Sequence, residues 1–255
     1  MQRTALVTGG GRGIGQAIAR QLASEGARVA IAARTQAQLD ATAGAIRARG
    51  GECLVLPMDV ADERSIVHGI ALLARSWPQV DILVNNAGVG GGLPITARGE
   101  ADQRWQHTID VNLVGMYRVT RECLALMPDG ARIINMSSVL GRFGVAGYTA
   151  YCAAKHGVLG FTRALALELA PRRITVNAVC PGWVDTEMAA HGMQNGAHAT
   201  GVTFEEFRRQ ALDAVPLKRI IEPAEVAALT VFLASPQASA ITGQTYNICG
   251  GQTMD

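Results

Sequence analysis

The sequence predicts an α/β fold in which helices cover both faces of one parallel sheet of about seven strands. Seven short apolar runs end in Gly, Ser, Asp or Arg, and most are separated by about 15 to 30 residues with apolar positions at helical spacing. Buried parallel strands are apolar on both faces and need helical crossovers, so this alternation favours a doubly wound sheet. The length of 255 residues, 49% of them hydrophobic, is enough for one domain over 1–255.

The predicted strands follow one another along nearly the whole chain. The first run is TALVTGG, and the helical segment IGQAIARQLASEGA follows it. The other six runs are RVAIAAR, ECLVLPMDV, VDILVNNAG, ARIINMSS, ITVNAVCPG and GQTYNICGG. The segment 183–215 after the sixth run is too long for an ordinary connection, so we expect a substrate lid with some helix of its own. It follows the carboxyl end of a strand, which is the ligand side of an open sheet.

Composition and charge exclude several classes of function. The formal net charge is +2 and no run of five basic residues occurs, so no nucleic-acid partner is expected. No apolar run approaches the roughly 20 residues that span a bilayer, so no membrane association is expected. The amino-terminal MQRTALVTGG reads as a first strand and not as a signal peptide. Five scattered cysteines without a C-x-x-C pair favour a reducing, cytoplasmic location, and no ligand spacing suggests a metal.

A glycine-rich loop, TGGGRGIG, follows the first predicted strand. Gly9, Gly13 and Gly15 have the spacing G-x-x-x-G-x-G, and a helical segment begins at once. Glycines there let the backbone turn tightly and approach a pyrophosphate at the helix N-terminus, where free N–H groups favour anions. The loop therefore predicts a dinucleotide site, with a purely structural glycine turn as the alternative.

The residues after the second predicted strand bear on the choice of cofactor. An NAD-binding fold usually has an acidic residue there for the ribose 2′-OH, whereas this chain has Ala33 and Arg34. An arginine pairs with a 2′-phosphate, and Arg12 in the glycine loop is within reach of the same group. We therefore expect NADP(H), with NAD as the alternative if both arginines are only solvated surface residues.

The stretch YTAYCAAK contains two tyrosines and one lysine. Tyr151 and Lys155 are four residues apart and so share a helix face, whereas Tyr148 is seven residues from the lysine. Lowering a tyrosine pKa from ~10 toward ~7 takes roughly 4 kcal/mol, much of which a neighbouring ammonium supplies. Tyr151 is therefore the candidate acid or base. Alone, Tyr-x-x-x-Lys is also typical of a partly buried tyrosine beside a lysine whose charged end reaches solvent.

Several motifs together make the chain resemble the short-chain dehydrogenase/reductase family. They are TGGGRGIG, NNAG at 85–88, INMSS with Ser138 thirteen residues before Tyr151, YCAAK, and PGWVDTEM at 181–188. Their order and spacing match the family over nearly the whole chain, from residue 3 to ITGQTYNICGG. The resemblance implies a Rossmann fold and interconversion of a ketone and a secondary alcohol by hydride transfer.

The resemblance also implies a catalytic tetrad of Asn112, Ser138, Tyr151 and Lys155. Tyr151 would protonate the carbonyl oxygen, Lys155 would lower its pKa and hold the nicotinamide ribose, and Ser138 would bind the substrate oxygen. Ser138 could instead be a strand-end cap. Asparagine is a poor helix former, and in the family the residue matching Asn112 interrupts the helix and holds a water that relays protons to the lysine.

Further positions match cofactor contacts of the family. Asp59 and Val60 would flank the adenine, although Asp59 could equally cap the next helix, and Asn85 would brace the sheet. The loop after the sixth strand would lie along the nicotinamide carboxamide. The full predicted set is Gly9, Arg12, Gly13, Ile14, Gly15, Arg34, Asp59, Val60, Asn86, Ala87, Gly88, Tyr151, Lys155, Pro181, Gly182, Val184 and Thr186.

The substrate is less well defined by the sequence. NNAGVGGG, HGVLGFTRAL and NICGG resemble bacterial aromatic-polyketide ketoreductases, and 3-oxoacyl-carrier-protein reductases are almost as similar. A 3-oxoacyl thioester, with or without a carrier protein, or a polyketide-like cyclic ketone is therefore expected. Apolar residues of 183–215 could enclose such a ketone or simply pack on the sheet, and the two histidines there are expected in solvent. These residues are Trp183, Met188, Met193, Phe204 and Phe207, with His191 and His198.

The sequence also allows two alternative functions, and the family resemblance implies an assembly state. A catabolic, NAD-dependent secondary-alcohol dehydrogenase is the alternative enzyme, and a non-catalytic nucleotide-sensing protein is a remote one because both Tyr151 and Lys155 are present. The family implies a homotetramer packed through the helix of Tyr151 and the helix before it. Val158, Phe161 and Leu165 could form that contact or belong to the core.

Overall fold

The fold is a single parallel sheet with helices on both faces, which confirms the predicted class. A computed structural model describes residues 2–254, so the predicted domain range of 1–255 extends one residue beyond it at each end. Within that range the sheet has seven strands in the order β3-β2-β1-β4-β5-β6-β7, and all pairs are parallel. The strands are β1 Thr4–Thr8, β2 Arg28–Ala33, β3 Cys53–Pro57, β4 Ile82–Asn85, β5 Arg132–Met136, β6 Thr175–Pro181 and β7 Thr245–Ile248.

Helices form the crossovers between successive strands. One π-helical turn, Asp110–Val114, joins α4 to α5, and short 3₁₀ turns follow β5 and α6. The α-helices are α1 Gly13–Ser24, α2 Gln36–Arg47, α3 Glu63–Ser76, α4 Glu100–Ile109, α5 Gly115–Cys123, α6 Thr149–Leu169, α7 Glu187–Thr200, α8 Phe204–Asp213 and α9 Pro223–Ala234.

Two apolar cores lie on opposite faces of the sheet. Successive residues of a strand point to opposite faces, so Ala5 and Val7 face one core while Leu6 faces the other. Helices α1, α2 and α9 cover the first core, and α3, α5 and α6 cover the second. This two-sided burial explains why each strand is almost continuously apolar.

Three apolar positions of α6 that could form an oligomer contact belong mainly to the core of the single chain. They are Val158, Phe161 and Leu165. Val158 is fully buried and Leu165 is 7% exposed. Phe161 is partly buried and its ring meets the edge of Tyr117 at a centroid distance of 6.4 Å. Packing within the chain therefore accounts for the apolar spacing along α6.

The strand order creates a cleft between the carboxyl ends of β1 and β4. From β1 the chain moves to β2 and β3 on one side, and from β4 to β7 on the other, so β1 and β4 flank the switch point. Ligands of open α/β sheets bind outside such a point. The glycine loop follows β1, and NNAG begins in the last residue of β4. The two motifs therefore line one cleft.

The 183–215 segment forms two helices, α7 and α8, between β6 and α9. Thr186 caps α7 by accepting a hydrogen bond from the backbone N–H of Ala189, and Thr203 with Glu206 forms a capping box on α8. The predicted helical content is therefore present. Val184 pairs with Ile221 in an isolated parallel bridge, which attaches the start of the segment to the chain before α9.

Two further findings concern membranes and cysteines. Across residues 2–254 no helix is both long and apolar enough to cross a lipid bilayer. The five cysteines are free thiols, and four of them are buried.

Candidate active site

The glycine loop brings backbone atoms closer together than side chains would allow. Gly9 and Gly13 adopt positive φ angles of 66° and 55°, which favour glycine. A Cβ on Gly15 would lie 2.2 Å from the carbonyl oxygen of Gly9, so the first turn of α1 packs directly on the loop. Within residues 2–254, the side chain of Arg12, the N-cap residue of α1, forms no capping hydrogen bond. This geometry suits an anion at the helix N-terminus.

The NNAG segment is held against the glycine loop by hydrogen bonds. The Oγ1 of Thr8 accepts from the backbone N–H groups of Asn86 at 3.0 Å and Ala87 at 3.1 Å. The side-chain amide of Asn86 donates to the carbonyl oxygens of Thr8 and Gly9. Both sides of the cleft are thereby fixed next to each other, as the predicted cofactor site requires.

The two predicted phosphate-binding arginines differ in their surroundings. Arg34 lies directly after β2 with an exposed side chain that forms no hydrogen bond or ion pair within residues 2–254. The guanidinium of Arg12 forms an ion pair with Glu187 at the start of α7. Arg34 is thus free to meet a ligand, whereas Arg12 already has a partner.

Asp59 and Val60 lie in the turn after β3. The carboxylate of Asp59 accepts from the backbone N–H of Ala61 at 3.0 Å, and Asp62 caps α3 instead. The alternative prediction that Asp59 caps the helix after β3 is therefore wrong, because Asp62 caps α3. Val60 is buried against Gly115, where an added Cβ would lie 2.5 Å from the Val60 carbonyl oxygen.

Tyr151, Lys155 and Ser138 meet at one wall of the cleft. Tyr151 and Lys155 lie in the first two turns of α6, and the Lys155 Nζ is 5.5 Å from the centroid of the Tyr151 ring. This Nζ is buried and donates to the carbonyl oxygen of Met136 at 2.9 Å. The Ser138 hydroxyl interacts with Tyr151 and also accepts from the backbone N–H of Leu140 at 3.1 Å. Ser138 is thus both a cap and a neighbour of the tyrosine.

Burial sets the ionisation of this tyrosine and lysine. It raises the pKa of Tyr151 to about 12, although the Ser138 hydroxyl opposes part of the rise, and it lowers the pKa of Lys155 to about 8. The expected fall of the Tyr151 pKa toward 7 is therefore not produced by the chain's own residues. The physical reason is that desolvation of the phenolate outweighs the stabilising contacts. At neutral pH Tyr151 keeps its proton.

Asn112 occupies the π-helical turn between α4 and α5. Its Oδ1 accepts from the backbone N–H of Val89 at 2.8 Å, and its Nδ2 donates to the Val89 carbonyl oxygen at 2.9 Å. A Cβ on Gly88 would lie 3.0 Å from this Oδ1 and 3.7 Å from the Lys155 Nζ. Asn112 and Lys155 therefore face the same glycine, and the asparagine fixes the loop that follows NNAG.

The loop after β6 reaches over the glycine loop. The backbone N–H of Gly182 donates to the carbonyl oxygen of Ile248, just after Pro181 ends the strand. A Cβ on Gly13 would lie 3.3 Å from Thr186 Cγ2. Val184 is buried, and Ile14 packs on the core beneath α1. The predicted carboxamide loop and the predicted pyrophosphate loop therefore border the same cleft.

Most apolar residues of the 183–215 segment pack within it. Met193 is buried, and the ring of Phe207 lies so close to Gly196 that a Cβ there would be 2.2 Å from it. Met188 differs because it is 43% exposed and faces Gly90, where a Cβ would be 3.1 Å from Met188 Cγ. His191 and His198 are exposed, as expected.

A buried polar network beneath the site was missed by sequence reasoning apart from Asn85. The Asn85 side chain donates to Asn135 Oδ1 and Thr120 Oγ1, each at 2.9 Å. The Asn135 amide donates to Thr162 Oγ1 at 3.0 Å, which joins β4 and β5 to α6. An asparagine in the middle of the apolar run RIINM was the available signal, because a buried amide needs partners.

The glycine loop at the switch point, with a tyrosine, lysine and serine beside it, defines an oxidoreductase of the dinucleotide-binding α/β class. A family model described as enoyl-(acyl carrier protein) reductase matches residues 9–253. The chain belongs to the short-chain dehydrogenase/reductase family.

Three proteins are similar to this chain over nearly its whole length. A Streptomyces virginiae protein described as a ketoacyl reductase of the monensin polyketide synthase is 44% identical over 98% of this chain and 96% of its own. The 3-oxoacyl-[acyl-carrier-protein] reductase FabG of Staphylococcus epidermidis is 37% identical over the full length of both. A crystal structure of an actinorhodin polyketide ketoreductase variant with NADPH has a TM-score of 0.93 and 41% identity, covering 98% and 97% of the two chains.

Proposed function

We propose that the protein is an NADPH-dependent reductase that converts a ketone into a secondary alcohol. The observation that carries the proposal is the placement of the Tyr151 hydroxyl, which interacts with Ser138 while the Lys155 Nζ lies 5.5 Å from the tyrosine ring. A ketone that accepts hydride needs a proton at its oxygen, so a protonated tyrosine is the form required for reduction. The ketoreductase relatives support the same direction.

The chain's residues divide the chemistry between them. Bound NADPH supplies the hydride. The Ser138 hydroxyl donates a hydrogen bond to the ketone oxygen and stabilises the negative charge that develops there. Tyr151 transfers its hydroxyl proton to the same oxygen. The Lys155 ammonium, 5.5 Å from the ring, stabilises the phenolate that remains, while Asn112 holds the adjoining loop in place.

The residues present fit NADP(H). The glycine loop has no side chains at Gly9, Gly13 and Gly15 that would cover the start of α1, and no acidic side chain stands at the end of β2 to bind a ribose 2′-OH. Arg34, free and exposed at that strand end, would pair with the 2′-phosphate. Asp59 and Val60 would border the adenine, and the Asn86–Gly88 stretch the riboses. Pro181, Gly182, Val184 and Thr186 would border the carboxamide.

The substrate proposed is a 3-oxoacyl thioester, free or on a carrier protein, or a polyketide-like cyclic ketone. Two relatives carry names of that chemistry. We propose that the 183–215 segment acts as a lid and that its partly exposed Met188, which faces Gly90, contacts the substrate. We also propose a homotetramer packed through α5 and α6, because Tyr117 and Leu167 expose 47% and 80% of their surface there. Light scattering would measure the mass.

The test is the initial rate of NADPH and NADH oxidation with a bicyclic ketone, an acetoacetyl thioester and an aryl ketone. Tyr151→Phe removes the proton donor, so we expect a rate 10²- to 10⁴-fold lower, on the order of one general acid. Tyr148→Phe is the matched control, because it removes a hydroxyl one turn earlier and should keep most activity.

Other results of these assays would refute the mechanism or favour one of the alternative functions. Turnover that survives in Tyr151→Phe would refute the mechanism. A preference for NADH would favour the catabolic alcohol dehydrogenase and count against the role of Arg34. Binding of NADPH with no turnover on any ketone or alcohol would favour a nucleotide-sensing protein.

A further inference from the structure

The glycine loop and the 183–215 segment are joined by one ion pair across the cleft. The guanidinium of Arg12, at the tip of the loop, pairs with the carboxylate of Glu187, the first residue of α7. Both side chains are more than half exposed, at 58% and 65%. The pair lies beside the N-terminus of α1, where the proposed cofactor would place its phosphates. An internal carboxylate is therefore in contact with a residue predicted to bind phosphate.

The position of Glu187 is set by backbone contacts that do not involve Arg12. Thr186 caps α7, and the backbone N–H of Asp185 donates to the carbonyl oxygen of Ile221 at 2.9 Å. The Val184–Ile221 bridge adds a second attachment. Because these contacts do not depend on Arg12, they keep the backbone of Glu187 beside the glycine loop, within reach of Arg12.

Arg34 provides an internal comparison for Arg12. Both arginines follow strands whose carboxyl ends line the cleft, since Arg12 lies after β1 and Arg34 after β2. Within residues 2–254, only Arg12 of these two has an anionic partner. A phosphate that recruits Arg12 must replace the contact with Glu187, whereas a phosphate that recruits Arg34 replaces only water.

We propose that Glu187 is a specificity-determining residue that competes with the 2′-phosphate of NADP(H) for Arg12. The inference rests on the proposed cofactor. Its consequence is that the natural carboxylate weakens NADPH binding more than NADH binding, because NADH has no 2′-phosphate to gain from a released Arg12. Removing the charge of Glu187 should therefore widen the preference for NADPH.

The experiment measures dissociation constants for NADPH and NADH by nicotinamide fluorescence, with no substrate present. The variants are Glu187→Gln, Arg12→Gln and the double variant. Glu205→Gln is the matched control, since it removes an equally exposed carboxylate from the first turn of α8. From the usual strength of exposed ion pairs, we expect Glu187→Gln to bind NADPH roughly two- to five-fold more tightly, with a smaller gain for NADH. Glu205→Gln should match wild type.

The double variant decides whether Glu187 acts through Arg12. In the Arg12→Gln background, Glu187→Gln should no longer improve NADPH binding. Unchanged or weaker NADPH binding by Glu187→Gln, or an equal gain with and without Arg12, would overturn the inference. If wild type binds NADPH and reduces a ketone, such a result refutes only the competition. If wild type does not bind NADPH, the proposed function fails first.

Discussion

The two walls of the cleft are held in different ways. On the β5–α6 wall Ser138 and Lys155 are almost completely buried, at 8% and 4% exposure, whereas Tyr151 is partly buried; Asn112 in the neighbouring π-helical turn is fully buried. Hydrogen bonds to backbone groups hold Ser138, Lys155 and Asn112, and the Tyr151 hydroxyl interacts with the Ser138 side chain. The opposite wall, α7 and α8, has a cap at the start of each helix, a few buried side chains such as Val184 and Met193, the Val184–Ile221 bridge and the exposed pair between Arg12 and Glu187.

One wall of the cleft therefore positions the reacting groups, and the other lets ligands enter and leave. A proton donor must be held close to its productive geometry, and buried, hydrogen-bonded neighbours such as Ser138 and Lys155 provide that support. A wall that admits and releases ligands must open at low free-energy cost, and exposed caps and ion pairs are each worth about 1 kcal/mol or less. The comparison therefore predicts large losses of activity or stability from substitutions on the β5–α6 wall. Substitutions on the second wall, α7 and α8, should cause only small, local losses of stability.

The largest effect should come from Lys155. Burial lowers its pKa from 10.5 to about 8, so the ammonium loses its charge as pH rises through about 8, and kcat/KM for reduction should fall there. Lys155→Met should reduce kcat roughly 10²- to 10⁴-fold, the range of one lost catalytic contribution. Lys155→Arg keeps the charge and should retain measurable activity without the decline near pH 8. A pH profile of all three proteins, with thermal melts as the folding control, measures this.

One result would contradict the assignment of this decline to Lys155. The chain's own residues do not bring the pKa of Tyr151 near 8, since burial raises it, so the decline is assigned to Lys155. If Lys155→Arg shows the same decline as wild type, another group titrates and the lysine is not responsible.

The next effect concerns the stability of the catalytic wall. Asn135→Ala removes the acceptor of Asn85 and the donor to Thr162, all in the buried interior. Buried polar groups left without partners cost about 1–3 kcal/mol each, so the free energy of unfolding should fall by about that amount. Urea unfolding measures it. The control is Asn195→Ala on the exposed surface of α7, which should change the free energy by less than about 0.5 kcal/mol. Equal losses in the two variants would contradict the comparison.

The smallest effect should come from a cap on the second wall. Thr203→Ala removes the side chain that accepts from the backbone N–H of Glu206 and should destabilise α8 locally by about 1 kcal/mol. Amide hydrogen exchange should accelerate in α8, while the urea midpoint of the whole protein stays nearly constant. Thr200→Ala, near the end of α7, is the control and should leave α8 exchange unchanged. A loss of global stability as large as that of Asn135→Ala would show that the two walls unfold together.

The parts that the sequence predicted are those fixed by local spacing. Strand runs, helical crossovers and the four-residue separation of Tyr151 and Lys155 all depend on neighbours in the chain, and the structure has them where expected. The Arg12–Glu187 pair joins residues 175 positions apart, so no local pattern could indicate it. The ionisation of Tyr151 was also missed, because it depends on how much of the folded chain covers the hydroxyl.

The turn at Asp110–Val114 places a constraint on the length of the chain. The π-helical turn closes its hydrogen bonds over five residues and so contains one residue more than the α-helical turn it replaces. Deleting one residue there would rotate α4 relative to α5 by about 100° and turn the side chain of Asn112 away from Val89. The number of residues in this turn therefore sets the direction of the Asn112 side chain, and a change of length there would disconnect the loop at Val89 from the site.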